Sequence, residues 1–137
     1  MKLIFLFGLL LTFPMWAGAV DILVNKNVSL SSITPQALRA IASLRTTTWP
    51  DGGRIQLFVL DENHPAHVSL CKDVLHVHPY QLDQVWVRAV YTGTGVLPTK
   101  VESESEMIAL VAATPFAIGY VLQRWPKNKR VRVLALD

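Results

Sequence analysis

Apolar and polar positions in this chain fall into short blocks whose period switches between 2 and 3.6, as expected for strands alternating with helices. Val20-Asp21-Ile22-Leu23-Val24 is a β-rich run suited to an opening strand, and Asn25-Lys26-Asn27 breaks it. A helix comes next, with Thr34 placed as N-cap, Pro35 at the first helical position and Ile33 able to staple against Leu38, while Ile41 and Ala42 continue the apolar face. Arg45 to Trp49 leads into the turn Pro50-Asp51-Gly52-Gly53, where glycine allows the positive φ of a tight reversal. Ile55-Gln56-Leu57-Phe58-Val59-Leu60 is apolar on both faces, which predicts a central strand covered by helices on each side.

Beyond the polar step Asp61-Glu62-Asn63-His64, a helix from Pro65 is predicted to present Val68, Cys71 and Leu75, with Val74 alongside. Pro79 to Tyr91 is the cleanest helical period in the chain: Leu82, Val85, Trp86, Ala89 and Val90 form one stripe, and Gly93 is placed to end it. Trp86 on that stripe is expected to be packing, so truncating it to alanine should cost about 3–5 kcal/mol. Ser103-Glu104-Ser105-Glu106 reads as a capping box ahead of Met107, Leu110 and Val111, with Pro115 as the stop. Ile118 to Leu122 and Val131 to Leu136 are predicted strands flanking a basic turn. The expected architecture is α/β, a three-layer sandwich of a small mixed sheet with helices on both faces.

The first residues change the picture of where this domain works. Lys2, the apolar run Leu3 to Leu11 and the small-x-small site Ala17-Gly18-Ala19 read as a signal peptide over residues 1–19, with a mature start near Val20. Residues 20–137 are enough for one domain and too few for two. A single cysteine, Cys71, leaves no internal disulfide even in an oxidising compartment. The formal charge of +3 is carried largely by Arg124, Lys127, Lys129, Arg130 and Arg132, read as a solvated turn and strand edge. No aromatics interleave with these cations, so nucleic acid is not an expected partner.

Three punctuated segments carry a resemblance to a known family: Thr48-Trp49-Pro50-Asp51-Gly52, then Trp86 to Tyr91-Thr92-Gly93-Thr94-Gly95 with Pro98, then Ala117-Ile118-Gly119-Tyr120-Val121. In order and spacing, from about Ile22 to about Val121, they resemble the second lobe of the phosphate-type substrate-binding proteins of ABC importers. The resemblance implies one lobe of a type 2 periplasmic binding protein, a periplasmic location, and a non-catalytic role in solute binding or sensing. It also implies partners: an importer permease, a sensor or another envelope protein, and a small anionic solute. Because the chain has length for one lobe only, a homodimer in which a second copy supplies the missing lobe is a further expectation. A protein-interaction module without ligand capture and a small periplasmic metal-handling protein are the alternative readings.

Candidate chemistry concentrates at the step after the third predicted element. Asn63 and His64, ahead of the helix at Pro65, are the candidate ligand-binding residues, because free N–H groups gather at a helix start. The family commonly carries an arginine and a Ser-Gly-Thr turn there, whereas this chain has Asp61 and Glu62, so the expected affinity for phosphate is weak or nil. His64 and His67 are the candidate metal ligands of the metal-handling reading, with Cys71 read as a small buried hydrophobe. No nucleophile elbow, activated cysteine or Gly-rich phosphate loop is present, so neither an enzyme nor a cofactor is expected.

Overall fold

The computed structural model describes residues 20–93, 97–122 and 128–137. The expected signal peptide, Thr94, Gly95, Arg124 and Lys127 lie outside them. In chain order the elements are β1 (Val20–Asn25), β2 (Ser32–Ile33), α1 (Pro35–Ala42), β3 (Gln56–Val59), α2 (Pro65–Ser69) continued by a π-helical turn (Leu70–Leu75), α3 (Pro79–Thr92), β4 (Thr99–Lys100), α4 (Glu104–Ala113), β5 (Ala117–Leu122) and β6 (Val131–Leu136). No helix among the described residues is long and apolar enough to cross a membrane.

All six strands form one sheet in the order β2-β6-β1-β5-β3-β4. β1 is antiparallel to both its neighbours, with Ile22 opposite Tyr120 on β5 and Leu134 on β6. The remaining contacts, β2 with β6, β3 with β5 and β3 with β4, are parallel. Five strands therefore run one way and β1 alone runs against them.

The centre of the sheet is β1 and β5, almost wholly buried, as strands covered on both faces must be. β3, expected at the centre, instead sits one place from the edge, flanked outside only by the two-residue β4. Its apolar residues are covered by helices rather than by further strands. β2 and β4 were not legible as strands, being two residues each. Helices cover both faces: α4 packs on β5 and β1, while α1, α2 and α3 lie on the other side, around Ile22, Ile118 and Tyr120.

Local signals account for most ends. Thr34 accepts a hydrogen bond from the Ala37 N–H at 3.1 Å, and Ile33 and Leu38 are both buried, as the staple requires. Gly52 has φ of 98° and Gly93 of 63°, each ending its segment in the left-handed region. At α4, Ser103 Oγ caps the Glu106 N–H, but the Glu106 carboxylate accepts from the Glu102 N–H instead of returning to Ser103. A reciprocal capping box forms at α3, where the Tyr80 N–H donates to His78 Nδ1 and the His78 N–H to Gln81 Oε1.

Two helical stripes differ from expectation. In the segment after Pro65 the inward residues are His67, Leu70, Cys71 and Leu75, while Val68 and Val74 are half-buried. The π turn widens the spiral after Ser69, and the His67 ring has partners in the core that a sequence window cannot show. On α3 only Leu82 is fully buried; Val85, Trp86 and Ala89 are half-buried and Val90 is 58% exposed. The helix lies on the outside of the layer, held by Leu82 and by the Trp86 indole, whose Nε1 donates to the Ala42 carbonyl at 2.8 Å.

Candidate functional site

The strand directions define one edge where chemistry can gather. Because β2, β6, β5, β3 and β4 run parallel, their carboxyl ends share one edge, and the starts of α1, α2 and α4 open onto it. In α/β sheets this is the edge that takes ligands. The Asp61 to His64 step lies here, at the end of β3, as expected from sequence.

Its geometry uses most of its own donors. The Asp61 carbonyl accepts the His64 N–H at 2.9 Å, Asp61 Oδ2 accepts the Asn63 N–H at 3.2 Å, and His64 Nδ1 accepts the Ala66 N–H at 3.1 Å. His64 is thus the N-cap of α2, a helix of five residues. Asp61, Glu62 and Asn63 are exposed on the turn, and His64 is half-buried. Near it, Lys100 Nζ stands 3.9 Å from Asp61 Oδ1, both side chains 59% exposed, a pair worth little against water. Glu62, Glu102 and Glu106 are exposed on neighbouring segments, and Glu104 Oε1 accepts the Leu122 N–H at 3.4 Å. Among the described residues this rim carries more carboxylates than cations, a balance that disfavours an anion.

His64 and His67 do not form a pair of ligands facing one site. His64 caps α2 at the surface, whereas His67 is 1% exposed and points into the core. Among the described residues no three histidine, cysteine or acidic groups come together in a geometry that could hold a metal. His76 ends the π turn in the left-handed region with φ of 52°, and His78 caps α3, so these two shape helix ends.

The polar cluster that sequence reasoning missed is internal. Tyr120 Oη accepts the Leu60 N–H at 2.8 Å and lies 2.5 Å from His67 Nδ1; His67 Nε2 lies 3.6 Å from Cys71 Sγ. The chain of contacts fixes the end of β3 to the middle of β5 and to α2. Burial pushes His67 down to about 4, keeping the ring neutral, with the Asp61 charge opposing and the Lys100 charge assisting. Burial likewise pushes the Cys71 thiol up to about 11 and raises the Tyr120 phenol, so neither ionises near neutral pH. The spacing of His67 and Cys71, four apart on a helix, was a local signal for their contact; the role of Tyr120 was not, because it comes from a distant strand.

Two spaces lie on the α1 side of the sheet, and only the first touches this cluster. One, of about 20 Å³, sits between His67, Leu82, Trp86 and Ile118 and has room for little more than a single water. The other, about 560 Å³ and open, runs along α1 and the edge strand β2, lined by Ser32, Thr34, Thr48 and Trp49 among apolar neighbours. Trp49 is anchored there by its Nε1, which donates to the Phe116 carbonyl at 2.9 Å, and its side chain is buried beside the turn.

No protein-family model and no curated relative matches the chain. Solved structures do. PstS from Borrelia burgdorferi aligns with a TM-score of 0.65 at 19% identity, over 87% of this chain and 47% of that one. An ABC-type phosphate transport receptor from Vibrio cholerae aligns with a TM-score of 0.57 at 16% identity, over 85% and 45% of the two chains. A phosphate ABC transporter substrate-binding protein with bound phosphate from Clostridium perfringens gives 0.65 at 13% identity, over 85% and 44%. The chain therefore has the fold of phosphate ABC transporter substrate-binding proteins, as a single lobe spanning a little under half the length of those structures.

Proposed function

We propose that the protein is an exported, non-catalytic protein of the cell envelope that works in solute binding or sensing, reaching the periplasm through residues 1–19. The similarity of fold to phosphate-transport proteins carries this reading. The carboxyl edge supports it in part: three helix starts face one rim, and Asn63 and His64, the ligand-binding residues of this reading, stand on the Asp61 turn at that rim. The partner class is an importer permease, a sensor or another envelope protein, and a small anionic solute is the ligand class that this reading puts to the test. The apolar outer face of α3 favours the second reading, an interaction module that docks without capturing ligand.

A lone lobe should hold phosphate weakly. Helix-end attraction contributes typically 0.3–1 kcal/mol, against roughly 8 kcal/mol for micromolar affinity. In the turn, the Asn63, His64 and Ala66 N–H groups already have partners, and Asp61 and Glu62 repel the charge. Calorimetry of the mature monomer with phosphate at neutral pH is expected to show no binding at micromolar levels. Tight binding by the monomer would refute this account of the turn, and binding that appears only with dimer would mean that a second copy completes the site. Non-binding of every anion together with loss of export on deleting residues 3–11 would favour docking over solute capture.

A further inference from the structure

Helix α3 is apolar on two faces, and only one faces the core. Leu82, Val85, Trp86 and Ala89 point inward, while Tyr80, Val87, Val90 and Tyr91 are 56%, 47%, 58% and 86% exposed. Tyr80, Gln84, Val87 and Tyr91 recur at spacings of four, three and four, the seam of a two-stranded coiled coil with Gln84 and Tyr91 at a and Tyr80 and Val87 at d. Gln84 Nε2 donates to Tyr80 Oη at 2.7 Å, which orders the start of the seam.

The charges beside the seam say what covers it. Asp83 falls at g and Arg88 at e, on opposite flanks and five residues apart. Neither side chain makes an ion pair among the described residues. In two parallel helices related by a two-fold axis along the seam, g of one strand faces the e position five residues on in the other. Asp83 of each copy then meets Arg88 of the other, twice by symmetry. An antiparallel arrangement would set Asp83 near Asp83 and Arg88 near Arg88. A polar residue at a, as Gln84 is here, also specifies register at some cost in stability.

We propose that α3 is the interface of a parallel, two-fold dimer of this chain. The seam is two heptads long, a helix of about 21 Å at 1.5 Å rise per residue, so the interface is small and the dimer a weak one. This inference stands on α3 alone and does not depend on the solute reading, which concerns the sheet edge.

Sedimentation of the mature chain from sub-micromolar to near-millimolar concentration tests it, with far-UV circular dichroism confirming that each variant is folded. A monomer–dimer equilibrium is expected. Val87→Asp should remain monomeric throughout, and Arg88→Asp should raise the dissociation constant at least about ten-fold through like-charge contacts. Adding Asp83→Arg to Arg88→Asp should restore most of the affinity. Gln84→Cys should form a disulfide-linked dimer under mild oxidation, since a faces a in the parallel arrangement and Cys71 is buried. A wild-type chain that stays monomeric at every concentration would overturn the proposal, as it would if α3 served a different partner. Dimerisation unaffected by Val87→Asp, or cross-linking of Gln84→Cys only when mixed with Val87→Cys, would overturn it as well.

Discussion

His67 is the residue whose chemistry differs most from its surroundings. A neutral ring in the core binds a proton at about pH 4, whereas in the unfolded chain it does so near 6.5. Below 6.5 the unfolded state takes up the proton and the folded state does not. Stability therefore falls as pH drops from 6.5 toward 4, by on the order of 3 kcal/mol across the window, and is flat above it. Urea midpoints at pH 7 and pH 4.5 should show this loss, and His67→Gln should remove most of it while lowering stability at pH 7 through the lost Tyr120 contact. An acid slope equal in the two proteins would mean that other groups carry it. Gly119 is a second site where one atom decides. A Cβ there would meet Met107 Sδ and stand 3.0 Å from Val111 Cγ2, because α4 lies directly on β5 at this point. Gly119→Ala is expected to cost about 1–3 kcal/mol by overpacking. Shortening the neighbour, in Gly119→Ala with Met107→Ala, should then cost less than the two changes added separately; strict additivity would place the strain elsewhere.

At the scale of elements, stability depends on how helix ends are tied to the sheet. Asn25 reads in sequence as a strand breaker, and β1 does end there, but its side chain also works across the fold. Nδ2 donates to the Val111 and Ala112 carbonyls at 2.9 and 3.1 Å, satisfying the last turn of α4. Arg39 does the same for the π turn, its Nε donating to the Leu75 carbonyl at 2.9 Å. Trp86 ties α3 to the end of α1, and half-burial moves the expected cost of Trp86→Ala to about 3 kcal/mol, the lower end of the range for a buried aromatic. Thermal melts compare it with Trp86→Phe, which keeps a smaller aromatic ring and loses the Nε1 bond; equal losses from the two would show that the hydrogen bond, not the packing, holds α3. Elements with a local signature were legible: the N-cap at Thr34, the glycine at Gly93, the buried run of β5. The two-residue strands have no period to read, and α3 misled because apolar residues on both faces make the periodic stripe ambiguous. At the candidate site the location of the Asp61 turn followed from the end of a strand. That its donors close on one another, and that His67 turns away from His64 to Tyr120, depends on contacts between distant segments.

On the scale of the whole molecule, the described residues share one sheet and one core. The buried set runs from Val20 through Leu60 and Leu75 to Leu134, and β1, near the start, is paired with both β5 and β6, near the end. Such closure ties both ends of the described chain into one core, so residues 20–137 are expected to fold alone in one cooperative step. Single-tryptophan variants make the test local. Trp49 reports the turn packed against the start of β5, and Trp86 reports the outer helix layer. Urea curves from the two fluorophores and from far-UV circular dichroism should coincide in midpoint and slope at concentrations where the chain is monomeric. Loss of the Trp86 signal at lower urea would mean that α3 opens before the sheet, as a helix held by Leu82 and one indole could when its outer face has no partner. In that case raising the protein concentration should draw the two curves together if α3 pairs with a second copy, because binding to the folded state alone stabilises it by mass action.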